Sequence, residues 1–263
     1  MIKLNGQVIE AGRFPDGTTL MKQKILHNIY QHGAKIEWFF ENNEELVILI
    51  YLTKHLRANG VGYISLNLPY IPNARQDRVK SAEDVFTLKY FADIINYLDF
   101  NVIQVMDAHS NVSTALINHV IPCEPYAYIN KSIQSCNPDI LFFPDEGSQK
   151  RYSDMTSMEY AFGIKKRDWE TGKILGLDVT GSIDKIKGSK ILIVDDICSR
   201  GGTFYHSAKK LKELGAKEIY LYITHCENTI LEGELLTSGL IEKVYTTNSI
   251  FTKEHEKIEV FEL

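Results

Sequence analysis

Short, uninterrupted apolar runs that alternate with amphipathic stretches most limit what this chain can become. Residues 140–143, 191–194 and 219–223 are each a run of aliphatic and aromatic side chains with no charged residue on either face. A strand that is apolar on both faces has to be covered on both, which points to parallel sheets flanked by helices. Residues 35–40, 61–68 and 102–106 predict further strands, and 244–247 predict a final one. Between them, 44–59 reads as a helix stopped by Gly60. Residues 82–98 place Val85, Leu88, Phe91, Ile94, Ile95 and Leu98 at helical spacing, and 203–214 reads as a helix closed by Gly215. Alternating strands and helices predict an α/β fold. In such folds the chemistry gathers at the carboxyl ends of the strands, so a functional motif should directly follow an apolar run.

A length of 263 residues suits two α/β lobes. No linker-like stretch marks the boundary, which is expected near residues 124–138. The division taken is an N-terminal lobe of 1–128 and a C-terminal lobe of 129–263, with the last residues a candidate for packing back on the N-terminal lobe. The net charge of -5 argues against a nucleic-acid binder, which usually carries a basic excess. The longest apolar run, 46–52, is far too short to span a bilayer. Cys123, Cys136, Cys198 and Cys226 lack metal-ligand spacing and read as free thiols in a reducing compartment. The opening residues lack the apolar core of a secretory signal, so a cytoplasmic protein is expected.

The most informative segment runs from the apolar 191–194 into Asp195, Asp196, Ile197, Cys198, Ser199, Arg200, Gly201, Gly202 and Thr203. A buried strand delivers two adjacent acids, and a glycine-rich turn then opens a helix. The backbone N–H groups of such a turn, at the positive end of a helix, suit a phosphate. Gly201 and Gly202 let an anion approach the backbone, and Thr203 can add a hydroxyl. The plainer alternative is a strand-to-helix turn with solvated acids and a capping threonine.

This segment resembles the phosphoribosyl-diphosphate-binding loop of the type I phosphoribosyltransferase fold. Other segments resemble, more narrowly, the ribose-phosphate pyrophosphokinases. Pro72, Asn73, Ala74, Arg75, Gln76, Asp77 and Arg78 resemble that family's ATP-side loop, where arginines suit nucleotide phosphates. Phe14, Pro15, Asp16 and Gly17 resemble its adenine-holding segment, which often serves a neighbouring subunit. Asp107, Ala108, His109 and Ser110 resemble its Asp-x-His-Ser, whose histidine helps hold the ATP-bound magnesium. Pro144, Asp145, Glu146 and Gly147 resemble its Pro-Asp-x-Gly-Gly turn beside the ribose and the metal. Lys165 and Arg167 match the lysine and arginine of its flexible catalytic loop.

The resemblance implies two phosphoribosyltransferase-like lobes and a Mg2+-dependent transfer of the β,γ-diphosphoryl group of ATP to the anomeric hydroxyl of ribose 5-phosphate. It implies that Lys165 and Arg167 are catalytic, and that Phe14, Asp16, Arg75, Gln76, Asp77, Arg78 and His109 bind ATP. It assigns Asp145, Asp195, Asp196, Ser199, Arg200, Gly201, Gly202 and Thr203 to the ribose phosphate. Asp195 and Asp196 would hold the 2- and 3-hydroxyls directly or through a metal, and His109 and Asp145 would meet the magnesium. A homo-oligomer is implied if Phe14 and Asp16 serve a neighbour.

Three departures stand out. Only thirteen residues precede Phe14, where the family carries a further strand and helix. Thr18 stands where the family has a glutamate. Ser199 and Arg200 stand where the usual Asp-Thr-x-Gly-Thr pattern of the phosphate loop has its aspartate and threonine, a change of two charge units that suits a larger acceptor such as ADP-ribose. Glu146 and Ser148 likewise alter the Pro-Asp turn. The rival readings are a phosphoribosyltransferase, which needs no ATP loop, and an inactive regulatory relative, which would not need Lys165, Arg167, His109 and the acid pair.

Overall fold

The computed structural model describes residues 1–167 and 174–263, with only the backbone described for 165–167 and 174–177. The chain forms two compact units, Met1–Glu124 and Pro125–Leu263.

The first unit contains, in order, β1 (Ile2–Leu4), β2 (Gln7–Val8), β3 (Ala11–Arg13), β4 (Thr19–Met21), α1 (His27–His32), β5 (Ala34–Trp38), α2 (Glu44–Ala58), β6 (Ile64–Leu68), α3 (Thr87–Tyr97), β7 (Val102–Met106), α4 (Asn111–Leu116) and β8 (Val120–Cys123). Its sheet has the order β2-β1-β5-β6-β7-β8, parallel from β5 to β8, with β1 and β2 added antiparallel; β3 and β4 form a separate hairpin. In β6, Ile64, Leu66 and Leu68 are fully buried, and α3 buries Leu88, Phe91, Ala92 and Ile95 as its periodicity requires. Trp38 donates its indole N–H to the buried Glu45 at 2.9 Å, so that polar atom leaves water without losing a partner.

The second unit contains α5 (Tyr126–Cys136), β9 (Ile140–Phe143), α6 (Glu146–Tyr152), β10 (Tyr160–Arg167), β11 (Ile174–Gly181), β12 (Lys190–Cys198), α7 (Gly202–Glu213), β13 (Glu218–Cys226), β14 (Lys243–Thr247) and β15 (Ile258–Phe261). Its sheet has the order β11-β10-β9-β12-β13-β14-β15, parallel except for β11. All four residues of β9 are buried, as are 191–194 of β12.

Several expectations change. The helix expected from Ala82 starts at Thr87, because the Asp84 carboxylate accepts from the N–H groups of Lys80 and Ser81 and folds the preceding residues into a loop. Residues 258–261 form β15, beside β14, after the strand expected to be final. Lys165 and Arg167, expected in a loop, have backbones that end β10, paired with β11 across an irregularity at Lys166/Arg167; their side chains lie outside the described residues. Small strands β1 to β4 escaped the sequence reading because two or three residues carry no period. Among the described residues, no helix is long and apolar enough to cross a membrane. All four cysteines are free.

Candidate active site

In the first unit the strand end of β7 and the loop after β6 are brought together. Asp107, directly after β7, is held in the left-handed region at φ 43°, and its N–H donates to Cys123 O at 2.9 Å. The following Ala108, His109 and Ser110 lead into α4. In the other loop, the N–H of Gln76 closes a turn on Asn73 O at 2.9 Å, and the Gln76 amide oxygen accepts from the Thr87 hydroxyl at 2.5 Å. Arg75 and Arg78 are exposed, while Asp77 between them is buried. Burial pushes the Asp77 carboxyl up. Hydrogen bonding from Arg78 at 3.0 Å, with the nearby charges of Arg78 and His109, outweighs that and holds it below the usual carboxylate range. Asp77 therefore ties the arginine loop to the histidine loop, a role its place in a charge run did not reveal.

Phe14 and Asp16 sit elsewhere in this unit, at the tip of the β3–β4 hairpin. The N–H of Phe14 donates to Thr18 O, and that of Gly17 to Phe14 O, both at 2.9 Å. Thr18 donates to Asp16 Oδ1 from its hydroxyl at 2.7 Å and from its N–H at 3.0 Å. Those two bonds hold the fully exposed Asp16 carboxyl below its ordinary range. Phe14 is 48% exposed.

In the second unit, β12 runs longer than the apolar core predicts. Ile197 pairs with His225 and Cys198 with Cys226, so Asp195 and Asp196 lie within the strand rather than after it. The turn that follows places Gly201 at φ 79°, in the left-handed region that favours glycine, as the N-cap of α7. The N–H of Tyr205 then donates to Gly201 O at 2.9 Å, closing the first helical turn. Ser199, Arg200, Gly201, Gly202 and Thr203 thus surround the N-terminus of a twelve-residue helix, with Gly202 facing open space. Arg200 is exposed and donates to Glu232 Oε2 at 3.0 Å, so a neighbouring carboxylate offsets the added charge.

Asp145 caps α6. Its Oδ1 accepts from the N–H groups of Gly147 at 3.0 Å and Ser148 at 3.1 Å, and Ser148 completes a capping box. Ser148 therefore has a local structural use. At the other end of α6, Tyr152 is buried against Phe143, ring centroids 6.4 Å apart, and this anchors the helix over the sheet. Its neighbour Arg151 then reaches the acid pair. One guanidinium nitrogen donates to Asp196 Oδ2 at 2.8 Å and the other to Asp195 Oδ1 at 3.4 Å. Nothing in the sequence singled out Arg151, since a basic residue in the last turn of a helix is commonplace. Burial, and then the charge of Asp196, push the Asp195 carboxyl well above its ordinary range; Arg151 opposes them and Asp145 adds to them.

Among the described residues, no three histidine, cysteine, aspartate or glutamate side chains gather as a metal cage. Magnesium does not require one: it keeps several waters and is typically held by one or two carboxylates together with substrate phosphates. A carboxylate such as Asp145, close to the charge of Asp195, fits that donor chemistry.

No family model matches the chain. A ribose-phosphate pyrophosphokinase of Aquifex aeolicus is 31% identical over 229 residues, covering 83% of this chain and 72% of that one. The enzyme of the same name from Thermococcus kodakarensis is 27% identical over 251 residues, covering 93% and 86%. Among solved structures, a phosphoribosylpyrophosphate synthetase from Mycobacterium smegmatis superposes with a TM-score of 0.75 at 18% identity, covering 97% of this chain and 86% of that one, which shows a shared fold. Identity at that level across both units, on the same α/β architecture, places the chain in the ribose-phosphate pyrophosphokinase family of transferases.

Proposed function

We propose that the chain transfers the β,γ-diphosphoryl group of ATP to the anomeric 1-hydroxyl of ribose 5-phosphate, giving phosphoribosyl diphosphate and AMP. The observation that carries this reading is the sequence of the acid pair, a left-handed Gly201 and the open Gly202 at the start of α7. Such a turn offers backbone N–H groups to a 5-phosphate while the two carboxylates accept the sugar's vicinal hydroxyls. Diphosphoryl transfer asks mainly for in-line positioning and for positive charge where negative charge develops. Arg75 and Arg78, exposed on the loop whose Asp77 feels the charge of His109, suit the nucleotide's phosphates, and Gln76 its base edge. Lys165 and Arg167 are assigned the stabilisation of the transferring group. Magnesium, when bound, would neutralise phosphate oxygens, and His109 and Asp145 are each assigned to metal binding. The exposed hairpin tip bearing Phe14 and Asp16 supports an adenine contact made to a neighbouring subunit, hence a homo-oligomer, and a cytoplasmic setting suits these substrates.

A second reading, the same chemistry on a larger acceptor such as ADP-ribose, draws support from a cleft of about 380 Å³ beside α7. Tyr205 and Lys209 line it opposite Glu234, Thr237 and Ser238. The segment forming that wall also packs on the phosphate loop through Leu235, close to Gly201.

The test is incubation with ATP and magnesium plus ribose 5-phosphate or ADP-ribose, quantifying AMP and the diphosphorylated product. Turnover of ribose 5-phosphate supports the first reading and preference for ADP-ribose the second. Absence of AMP with both acceptors would refute diphosphoryl transfer.

A further inference from the structure

Consecutive residues of a strand ordinarily send their side chains to opposite faces, yet one guanidinium on α6 reaches both Asp195 and Asp196. The Asp196 side chain is 5% exposed, that of Asp195 14% and that of Arg151 27%, so the contact lies largely out of water. Two neighbouring carboxylates so placed repel each other. Without a shared counter-charge they would turn apart or move toward solvent. Arginine is suited to prevent this, because its planar fork can meet two oxygens at once, whereas an ammonium is a single point charge. The fork is itself fixed from behind, since Tyr152 is buried and the guanidinium carbon lies 5.1 Å from its ring centre.

We propose that Arg151 is a positioning residue for the transfer reaction: its fork sets the spacing of the Asp195 and Asp196 carboxylates so that the pair accepts the vicinal hydroxyls of the acceptor's ribose. The inference rests on the ribose-phosphate reading of the acid pair. It assigns Arg151 no contact with the nucleotide, so ATP handling should be spared.

The experiment measures kcat and both KM values for the full-length wild type, Arg151→Met and Arg151→Lys. Arg151→Met should raise the KM for ribose 5-phosphate by about tenfold or more, the equivalent of about 1.4 kcal/mol, with the KM for ATP within about twofold. Arg151→Lys, which keeps the charge and loses the fork, should recover only part of that loss. If Arg151→Met does not fold, Arg151→Lys alone decides, with a raised ribose 5-phosphate KM at near-native melting temperature. An unchanged ribose 5-phosphate KM, a parallel rise in the ATP KM, or full recovery with lysine would each overturn the inference. A wild type that forms no AMP from ribose 5-phosphate would instead refute the ribose-phosphate reading and remove the inference with it.

Discussion

Leu235 lies against Gly201 so closely that a Cβ at the glycine would fall 2.9 Å from the leucine Cδ2. Gly201 also has a positive φ of 79°, so the turn that opens α7 is fixed by backbone freedom and by packing together. Gly201→Ala should therefore destabilise the second unit by about 2 kcal/mol, combining left-handed strain with overpacking. Gly202→Ala, which meets nothing within 4 Å, should leave stability within about 0.5 kcal/mol. Denaturant unfolding of the two variants checks the contrast, and equal losses would contradict it.

Asp77 gives a pH-dependent prediction in the first unit. Its folded carboxyl lies below the ordinary value, so its ionised form contributes stability above the unfolded carboxylate range. That contribution is lost as pH falls through the lower, folded value. Asp77→Asn should cost about 1 kcal/mol near pH 7, with the deficit shrinking on acidification below about pH 4. Thermal unfolding across that window tests the sign.

Asp195 should behave in the opposite sense. Its folded carboxyl is raised by burial and by Asp196, so ionisation at neutral pH works against the fold. Stability from this group therefore grows as pH falls through the raised value, and stops growing below the unfolded carboxylate range. Asp195→Asn should raise the melting temperature near pH 8 by about 2–4 °C, a gain that fades toward about pH 4, while weakening ribose 5-phosphate binding. A lower melting temperature at pH 8 would contradict this account of the charge.

Lys165→Ala should lower turnover about a hundredfold or more, the typical effect of removing one electrostatic donor to a developing charge, about 3 kcal/mol. Arg167→Ala should act in the same direction. Initial rates of AMP release at saturating ATP provide the measurement, and near-normal turnover would remove either residue from the mechanism.

What was legible in the sequence follows from periodicity and from order along the chain. The buried runs of β9, β12 and β13 announce themselves because a strand covered on both faces tolerates only apolar residues, and the helix after Gly201 is marked by turn chemistry and by Gly215. The acid pair, the glycine turn, His109 and the Arg75–Arg78 loop could be picked out because each follows such a run. Tertiary structure alone decided that Arg151 reaches Asp195 and Asp196, that Asp77 joins two loops more than thirty residues apart, and that Glu232 offsets Arg200. Those relationships depend on distances across a folded surface, where burial and neighbouring charge set the behaviour of an ionisable group. The order of residues supplies the groups, but the packing of α6 over the sheet and of Leu235 on Gly201 decides which of them meet.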